Sequence, residues 1–303
     1  MVCAFLVDHI VITPVKDEGE ILQRVIDSMA GQSILPSAWI FVNDCSTDCT
    51  VEIIDRAKKQ HEWIQLVNLN EETERQRGAK ISKMFNIGLK QYQKDWDYCS
   101  KIDADIVLPK DYFERIFNNF DLDPNLGIAS GNCFLTKNNG EVKIEKVESD
   151  HTRGALKTYR KDCFWNIGGL REIDGWDGID NYLAQYHGWR TKNFREILAH
   201  HLRPTGVSEG RMKQHYNSGR KSHILGYTWP YLIGKSLTNL FTWPYILASI
   251  CILFGFIGAK ISGLGSVEEV ELRRFIAKKQ YRRIRGIFSV RKLFKKLYQN
   301  SLL

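Results

Sequence analysis

A chain of 303 residues with 43% hydrophobic content folds as one large domain or two smaller ones, which excludes wholesale disorder. Its net charge of +8 sits in the tail: from Ser266 onward there are 11 Lys/Arg against 3 Asp/Glu, and the remainder balances to zero. A nucleic-acid-binding domain carries its own basic face, so no nucleic acid is expected as a partner.

Seven scattered cysteines, with no second pair at zinc-site spacing, point to free thiols in a reducing compartment. The apolar N-terminus is interrupted by Asp8 and His9 and has no basic residue before it. It is a poor signal peptide and reads as a first buried strand. His9 to Thr13 is a β-branched run ending at Pro14. Ile21, Leu22, Val25, Ile26 and Met29 then recur at helical spacing until Gly31.

Ala38 to Val42 is a second strand, followed by the polar loop Asn43 to Asp48 and a helix carrying Val51, Ile53, Ile54 and Ala57. Trp63 to Val67 is a third strand, and Arg75 to Gly88 a basic loop and helix. The fourth strand starts at Trp96 and ends in Asp103-Ala104-Asp105. Short strands alternating with helices imply a mainly parallel sheet. Ligands of such sheets bind beyond the strands' carboxyl ends.

Two carboxylates one residue apart repel unless a cation lies between them. Mg2+ takes a carboxylate or two plus substrate phosphates, so Asp103 and Asp105 suggest a metal–diphosphate site. An isolated Asp-x-Asp is more often an acidic turn, so the assignment needs company. It comes in order along the chain: Thr13-Pro14-Val15-Lys16-Asp17-Glu18; Val42-Asn43-Asp44-Cys45-Ser46-Thr47-Asp48-Cys49-Thr50; Arg77-Gly78-Ala79 to Asn86-Ile87-Gly88; Asp103-Ala104-Asp105; and Ile167-Gly168-Gly169-Leu170 with Gly175-Trp176-Asp177-Gly178-Ile179-Asp180.

Over residues 8 to 205 the chain resembles the family 2 glycosyltransferases, which have the α/β GT-A nucleotide-diphospho-sugar transferase fold. Departures are Asn43 for an acid, Cys45 and Cys49 for glycines, Ile179 ahead of Asp180 for Glu, and Phe85 for Arg.

The resemblance implies a nucleotide site of Thr13, Pro14, Val15, Glu18, Asp44, Arg77, Lys80, Asp103 and Ala104. Asp44 and Thr13 would take the base, and Arg77, Lys80 and Lys83 would face the diphosphate. The metal, Mg2+ or Mn2+, would be held by Asp103, Asp105 and one of His200 and His201, with His201 preferred and Arg203 near the phosphates. An inverting transfer needs a base opposite the leaving nucleotide. The family pattern puts it at Asp180, with Asp177 the alternative; as plain structure the two would cap the helix Asp177 to His187. Trp176 is either a sugar-stacking face or core.

No charge occurs between Lys235 and Lys260. Leu240 to Ala259 is long enough to cross a bilayer, and Trp229, Tyr231, Trp243 and Tyr245 suit an interfacial belt. Trp229-Pro230 and Trp243-Pro244 could bend it into a re-entrant hairpin. From Val267 on, Leu272, Phe275, Ile276 and Ile284 interleave with bases as on an amphipathic surface helix.

The expected organisation is a catalytic domain over 1–205, a membrane-associated helical region over 206–262 and a basic tail over 263–303, at the cytoplasmic face of a membrane. The expected reaction moves a sugar from a nucleotide-diphospho-sugar, UDP-linked, to a lipid-linked or cell-surface glycan. A processive polymerase is disfavoured by the lack of a Gln-x-x-Arg-Trp motif. A nucleotidyltransferase is disfavoured because Thr13 to Gly19 is acidic. Intact Asp103, Asp105 and Asp180 disfavour a non-catalytic membrane scaffold.

Overall fold

The structure is a computed structural model that describes residues 7–70, 77–136, 139–145, 147–203, 210–239 and 245–288. The chain divides into two compact units, Met1–Pro204 and Thr205–Leu303.

In the first unit, among the described residues, nine strands form one sheet. β1 (His9–Val15), β2 (Ala38–Asn43), β3 (Ile64–Asn68) and β4 (Tyr98–Ile102) pair in parallel in the order β3-β2-β1-β4. β5 is Ile106–Val107, β6 Leu126–Thr136, β7 Val142–Ile144, β8 Leu156–Arg160 and β9 Arg190–His201. Beyond β4 the order continues β8-β6-β9-β5, with β7 on β6. β8 is antiparallel to both β4 and β6, β7 to β6, and β5 to β9, while β6 and β9 run parallel. The mainly parallel sheet expected from the alternation is therefore corrected to a mixed one. The topology is of the GT-A kind.

β1 and β2 are buried on both faces, as the centre of a helix-covered parallel sheet requires. Val11, Val15, Trp39 and Phe41 join one core with α1 (Leu22–Ala30), α2 (Thr50–Gln60) and α4 (Tyr112–Leu122). α3 (Arg77–Gln91) lies against Ile12 and Val42 through Gly88. A Cβ at Gly88 would stand 2.7 Å from Ile12 Cγ2 and 2.9 Å from Val42 Cγ2. Overpacking of that kind costs about 1–3 kcal/mol. Asn86 on the same helix donates to the Leu170 carbonyl (2.9 Å) and to Glu172 Oε1 (3.1 Å). Phe85 is fully buried, with its ring 6.1 Å from Phe164 of α5 (Lys161–Asn166). α6 (Trp176–Tyr186) precedes β9.

The second unit contains α7 (Arg211–Ile224), α8 (Trp229–Asn239), α9 (Ile246–Ile261) and α10 (Val270–Phe288). α7 and α9 meet backbone to backbone: a Cβ at Gly219 would collide with the Ile252 carbonyl, and one at Gly255 with the Tyr216 carbonyl. Among the described residues no helix is long and apolar enough to cross a membrane. This corrects the expected transmembrane helix: the helix described there is the 16-residue α9. Pro230 sits in the first turn of α8, where no helical N–H partner is lost, so it begins a helix instead of bending one. Leu240 to Pro244 lie outside the described residues.

Leu272 and Ile276 of α10 are buried, so its apolar stripe packs inward and is not offered to a surface. Instead α9 exposes Ile246, Leu247, Ile250, Phe254, Ile257 and Ile261. α8 exposes Trp229, Ile233 and Leu237.

Candidate active site

Lys16 and Asp44 follow the paired ends of β1 and β2, where Val15 and Asn43 are in register. The two loops are laced together. Asp17 Oδ1 accepts from the Thr47 N–H (2.7 Å), the Asp17 N–H donates to Ser46 Oγ (3.0 Å) and the Glu18 N–H donates to Thr50 Oγ1 (2.8 Å). The Gly19 N–H reaches Asp48 Oδ2 (2.9 Å). Asp17 and Cys45 hold φ of 51° and 54°. Non-glycine residues stay there only when their surroundings over-determine them, a situation concentrated at functional sites.

Asp44 has no exposed surface. Its Oδ2 is ion-paired with the Lys80 ammonium, and Lys16 Nζ lies 3.7 Å away. Two side chains singled out from the sequence, Asp44 and Lys80, are thus in direct contact. Lys83 is exposed. Arg75 and the Arg77 side chain lie outside the described residues.

Thr13 is held in the core. It is fully buried, and its hydroxyl accepts the Trp39 indole N–H (2.9 Å). An odd-numbered position in β1 points into the α1/α2/α4 core, so Thr13 offers a base nothing but strand backbone. Pro14 and Val15 are likewise buried at the strand's end. Glu18 is ion-paired with Arg203.

Asp103 and Asp105 stand on the turn between β4 and β5. Ala104 between them is 5% exposed. The β5–β9 register sets Ile106 opposite His201 and Val107 opposite His200. Asp105 Oδ2 lies 3.3 Å from His201 Nε2, and Glu145 Oε1 lies 3.3 Å from His201 Nδ1. Burial works against the proton on His201, but these two carboxylates carry its pKa up to about 9. His200 points to the opposite face of β9. Its ring stacks on Phe134 at 4.7 Å, and its Nε2 is 3.2 Å from Thr136 Oγ1. Of the two histidines, His201 is the one beside Asp105.

Asp103 Oδ1 is ion-paired with the Lys101 ammonium. Desolvation raises the Asp103 pKa, Lys101 opposes it, and the net shift is upward. Among the described residues no three His, Cys, Asp or Glu side chains converge as a ready-made metal cage. A Mg2+-type ion rarely uses one: it takes few protein ligands and fills its shell with phosphate oxygens and water. Asp105 and His201 fit that role. Asp103, with one oxygen held by Lys101, fits it less directly.

Asp180 lies in a buried network. It is 1% exposed. Lys157 Nζ lies 2.6 Å from each of its oxygens, the Tyr159 hydroxyl donates to Oδ2 (2.5 Å) and the Asn181 N–H to Oδ1 (2.6 Å). Both oxygens are therefore engaged within the fold. The cap pair is absent too: Gly175 is the N-cap of α6, without a side-chain cap bond. Asp177, in the first turn, is half-buried and lies against Gly154. Trp176 is 4% exposed and is core. Lys101 and Lys157 lie over its ring at 5.5 and 5.4 Å.

A model described as glycosyl transferase family 2 matches residues 10–173, more than half of the chain. The chain belongs to glycosyl transferase family 2. This family 2 glycosyltransferase is 28% identical over 142 residues to a poly-beta-1,6-N-acetyl-D-glucosamine synthase of Staphylococcus aureus strain COL. It is 30% identical over the same length to that of Staphylococcus epidermidis. Each match covers 46% of this chain and 32% of the relative. The chain therefore spans about a third of the length of these curated relatives.

Among solved structures, S. aureus TarS 1-349 in complex with UDP-GlcNAc superposes with a TM-score of 0.54 at 15% identity, covering 89% of this chain and 78% of that one. The mannosyltransferase PcManGT from Pyrobaculum calidifontis, in complex with GDP-Man and Mn2+, gives 0.53 at 17%, covering 86% and 76%. At these identities the likeness shows the fold alone.

Lys101, Glu145, Arg153 and Lys157 were not legible as site residues. Lys157 and Glu145 lie 23 and 56 residues from Asp180 and His201, which they contact, and Lys101 and Arg153 read as ordinary strand and loop residues. The available signal was a lysine within each of β4 and β8, strands that are otherwise almost wholly buried.

Proposed function

We propose that this glycosyltransferase takes a UDP-linked sugar and delivers it, with inversion at the anomeric carbon, to a hydroxyl of a lipid-linked or cell-surface glycan. The observation that carries the reading is the Asp105–His201 pair at the sheet edge, in the same unit as the Asp44–Lys80 pair at the ends of β1 and β2. Asp44 is the group for a uracil imide once a donor draws the lysine to its phosphates. The name of the sequence relatives, an N-acetylglucosamine polymer synthase, supports a hexosamine donor.

Asp105, His201 and the free oxygen of Asp103 would hold Mg2+ or Mn2+, which supplies charge stabilisation to a departing diphosphate. Lys80 and Arg77 add fixed positive charge to the phosphates, worth most in a site that excludes water. Asp177 takes the acceptor's hydroxyl proton. The oxygen forms its bond to the anomeric carbon as the bond from that carbon to the diphosphate oxygen breaks, and UDP leaves with the electron pair. Asp180, locked by Lys157 and Tyr159, fixes the helix that presents Asp177.

The second unit lies on the cytoplasmic leaflet without crossing it, with membrane lipid as its partner. Two features support this. α8 and α9 expose bulky apolar side chains, and α10 exposes Arg273, Arg274, Lys278, Arg282 and Arg285, which suit anionic headgroups.

The test of the reaction is nucleotide release from a panel of UDP- and GDP-sugars with Mn2+ and an acceptor extract. The reading expects UDP released from a UDP-hexosamine. Release from GDP-sugars alone would refute the donor assignment.

A further inference from the structure

We propose that Glu145 is the positioning residue for His201, and through it for the divalent ion; this rests on the metal reading above. Glu145 sits just past the end of β7, a three-residue strand. Its backbone is pinned on both sides: its N–H donates to the Cys133 carbonyl (2.9 Å), and its carbonyl accepts from Asn132 Nδ2 (3.0 Å). Its carboxylate is pinned as well. Oε2 is ion-paired with the Arg153 guanidinium. Arg153 is itself tied back to β6 by its N–H, which donates to Ser130 Oγ (3.0 Å). The remaining oxygen, Oε1, faces His201 Nδ1 at 3.3 Å.

The side chains of Glu145, Arg153 and His201 are 15%, 14% and 6% exposed. Water is therefore largely kept from competing for these contacts. With Nδ1 engaged, the ring can turn only Nε2 toward Asp105. A metal-ligating histidine almost always gives its other ring N–H to a carboxylate or carbonyl, which fixes tautomer and orientation. The chain Arg153–Glu145–His201–Asp105 has that form. It draws on the loop before β8, the end of β7, the end of β9 and the β4–β5 turn, so no local motif contains it.

The competing role for Glu145 is structural, as a counter-charge that keeps Arg153 in place. The two roles differ in what they do to the ion. The experiment is a Mn2+ titration read by electron paramagnetic resonance with saturating UDP, on the full chain and on Asp105→Asn, Glu145→Gln and Glu145→Asp. Pulsed measurements on the bound ion read the 14N modulation from a coordinated imidazole.

Asp105→Asn is expected to lose Mn2+ binding. Glu145→Gln is expected to bind it about 10–100-fold more weakly, the usual cost of losing such a partner, with a reduced 14N signal. Glu145→Asp keeps the charge but withdraws it by one methylene, and carries the same expectation if Glu145→Gln does not fold. Loss of binding in Asp105→Asn with unchanged affinity and 14N signal in a folded Glu145 variant overturns the proposal alone. Unchanged binding in Asp105→Asn overturns the metal reading, and the proposal with it.

Discussion

Lys157 Nζ lies 2.6 Å from both carboxylate oxygens of Asp180, and neither side chain is more than 2% exposed. Burial lowers the Lys157 pKa, and Asp180 and Asp177 pull it back up, with a net lowering. Removing one partner of a buried pair strands the other, at a cost of about 3–5 kcal/mol. Asp180→Asn is therefore expected to lose about that much stability in urea unfolding. The double variant Lys157→Met, Asp180→Leu should recover most of it. An Asp180→Asn protein as stable as the parent would show that the pair is not formed in solution.

Asp177→Asn should behave in the opposite way. It leaves the Lys157–Asp180 pair intact, so the fold and the affinity for the nucleotide should hold. Turnover should fall about 10²–10⁴-fold, the range for a lost general base. Steady-state kinetics with a metal-loaded donor checks this. A folded Asp177→Asn enzyme of normal turnover would remove Asp177 as the base.

His9 gives a pH dependence away from the site. Its ring is fully buried, 4.4 and 5.0 Å from those of Phe113 and Phe117, with Nε2 2.8 Å from Ser100 Oγ. Burial pushes its pKa from 6.5 down to about 3. The folded value lies below the unfolded one, so the unfolded chain takes the proton first. Stability should fall as pH drops from about 6.5 toward 3, by up to about 1.4 kcal/mol per pH unit from this group. Urea midpoints of the parent and His9→Gln, compared between pH 7 and 4.5, should converge as pH falls. Parallel curves would contradict a neutral buried His9.

Much of the first unit was legible because its signals are local. β-branched runs gave β1 and β2, and the apolar spacing gave α1. The acids after β4 do lie at its carboxyl end. Strand direction in the second half was not legible. Leu156 to Arg160 reads the same whether it runs with or against its neighbours, and the connections settle it. The burial of Thr13 was not legible, because a polar residue at a strand end does not reveal its partner. The Trp39 indole that occupies it belongs to another strand. The burial of Asp180 was not legible for the same reason: its partners Lys157 and Tyr159 alternate along β8, and lysine is seldom expected inside.

The exposed face of α8 and α9 predicts lipid binding. The protein should co-sediment with phosphatidylserine-containing vesicles, less so at high salt. Leu247→Asp with Phe254→Asp should abolish it without lowering activity on a soluble acceptor. Concentration-dependent dimers that those substitutions dissolve, with no vesicle binding by the parent, would assign the face to a second copy instead.

The most direct test of the account is calorimetric titration of UDP into the parent and Asp105→Asn, with Mn2+ and with a chelator. The account predicts UDP binding that needs Mn2+ in the parent and is lost in Asp105→Asn. Equal affinity for UDP in all four titrations would contradict it.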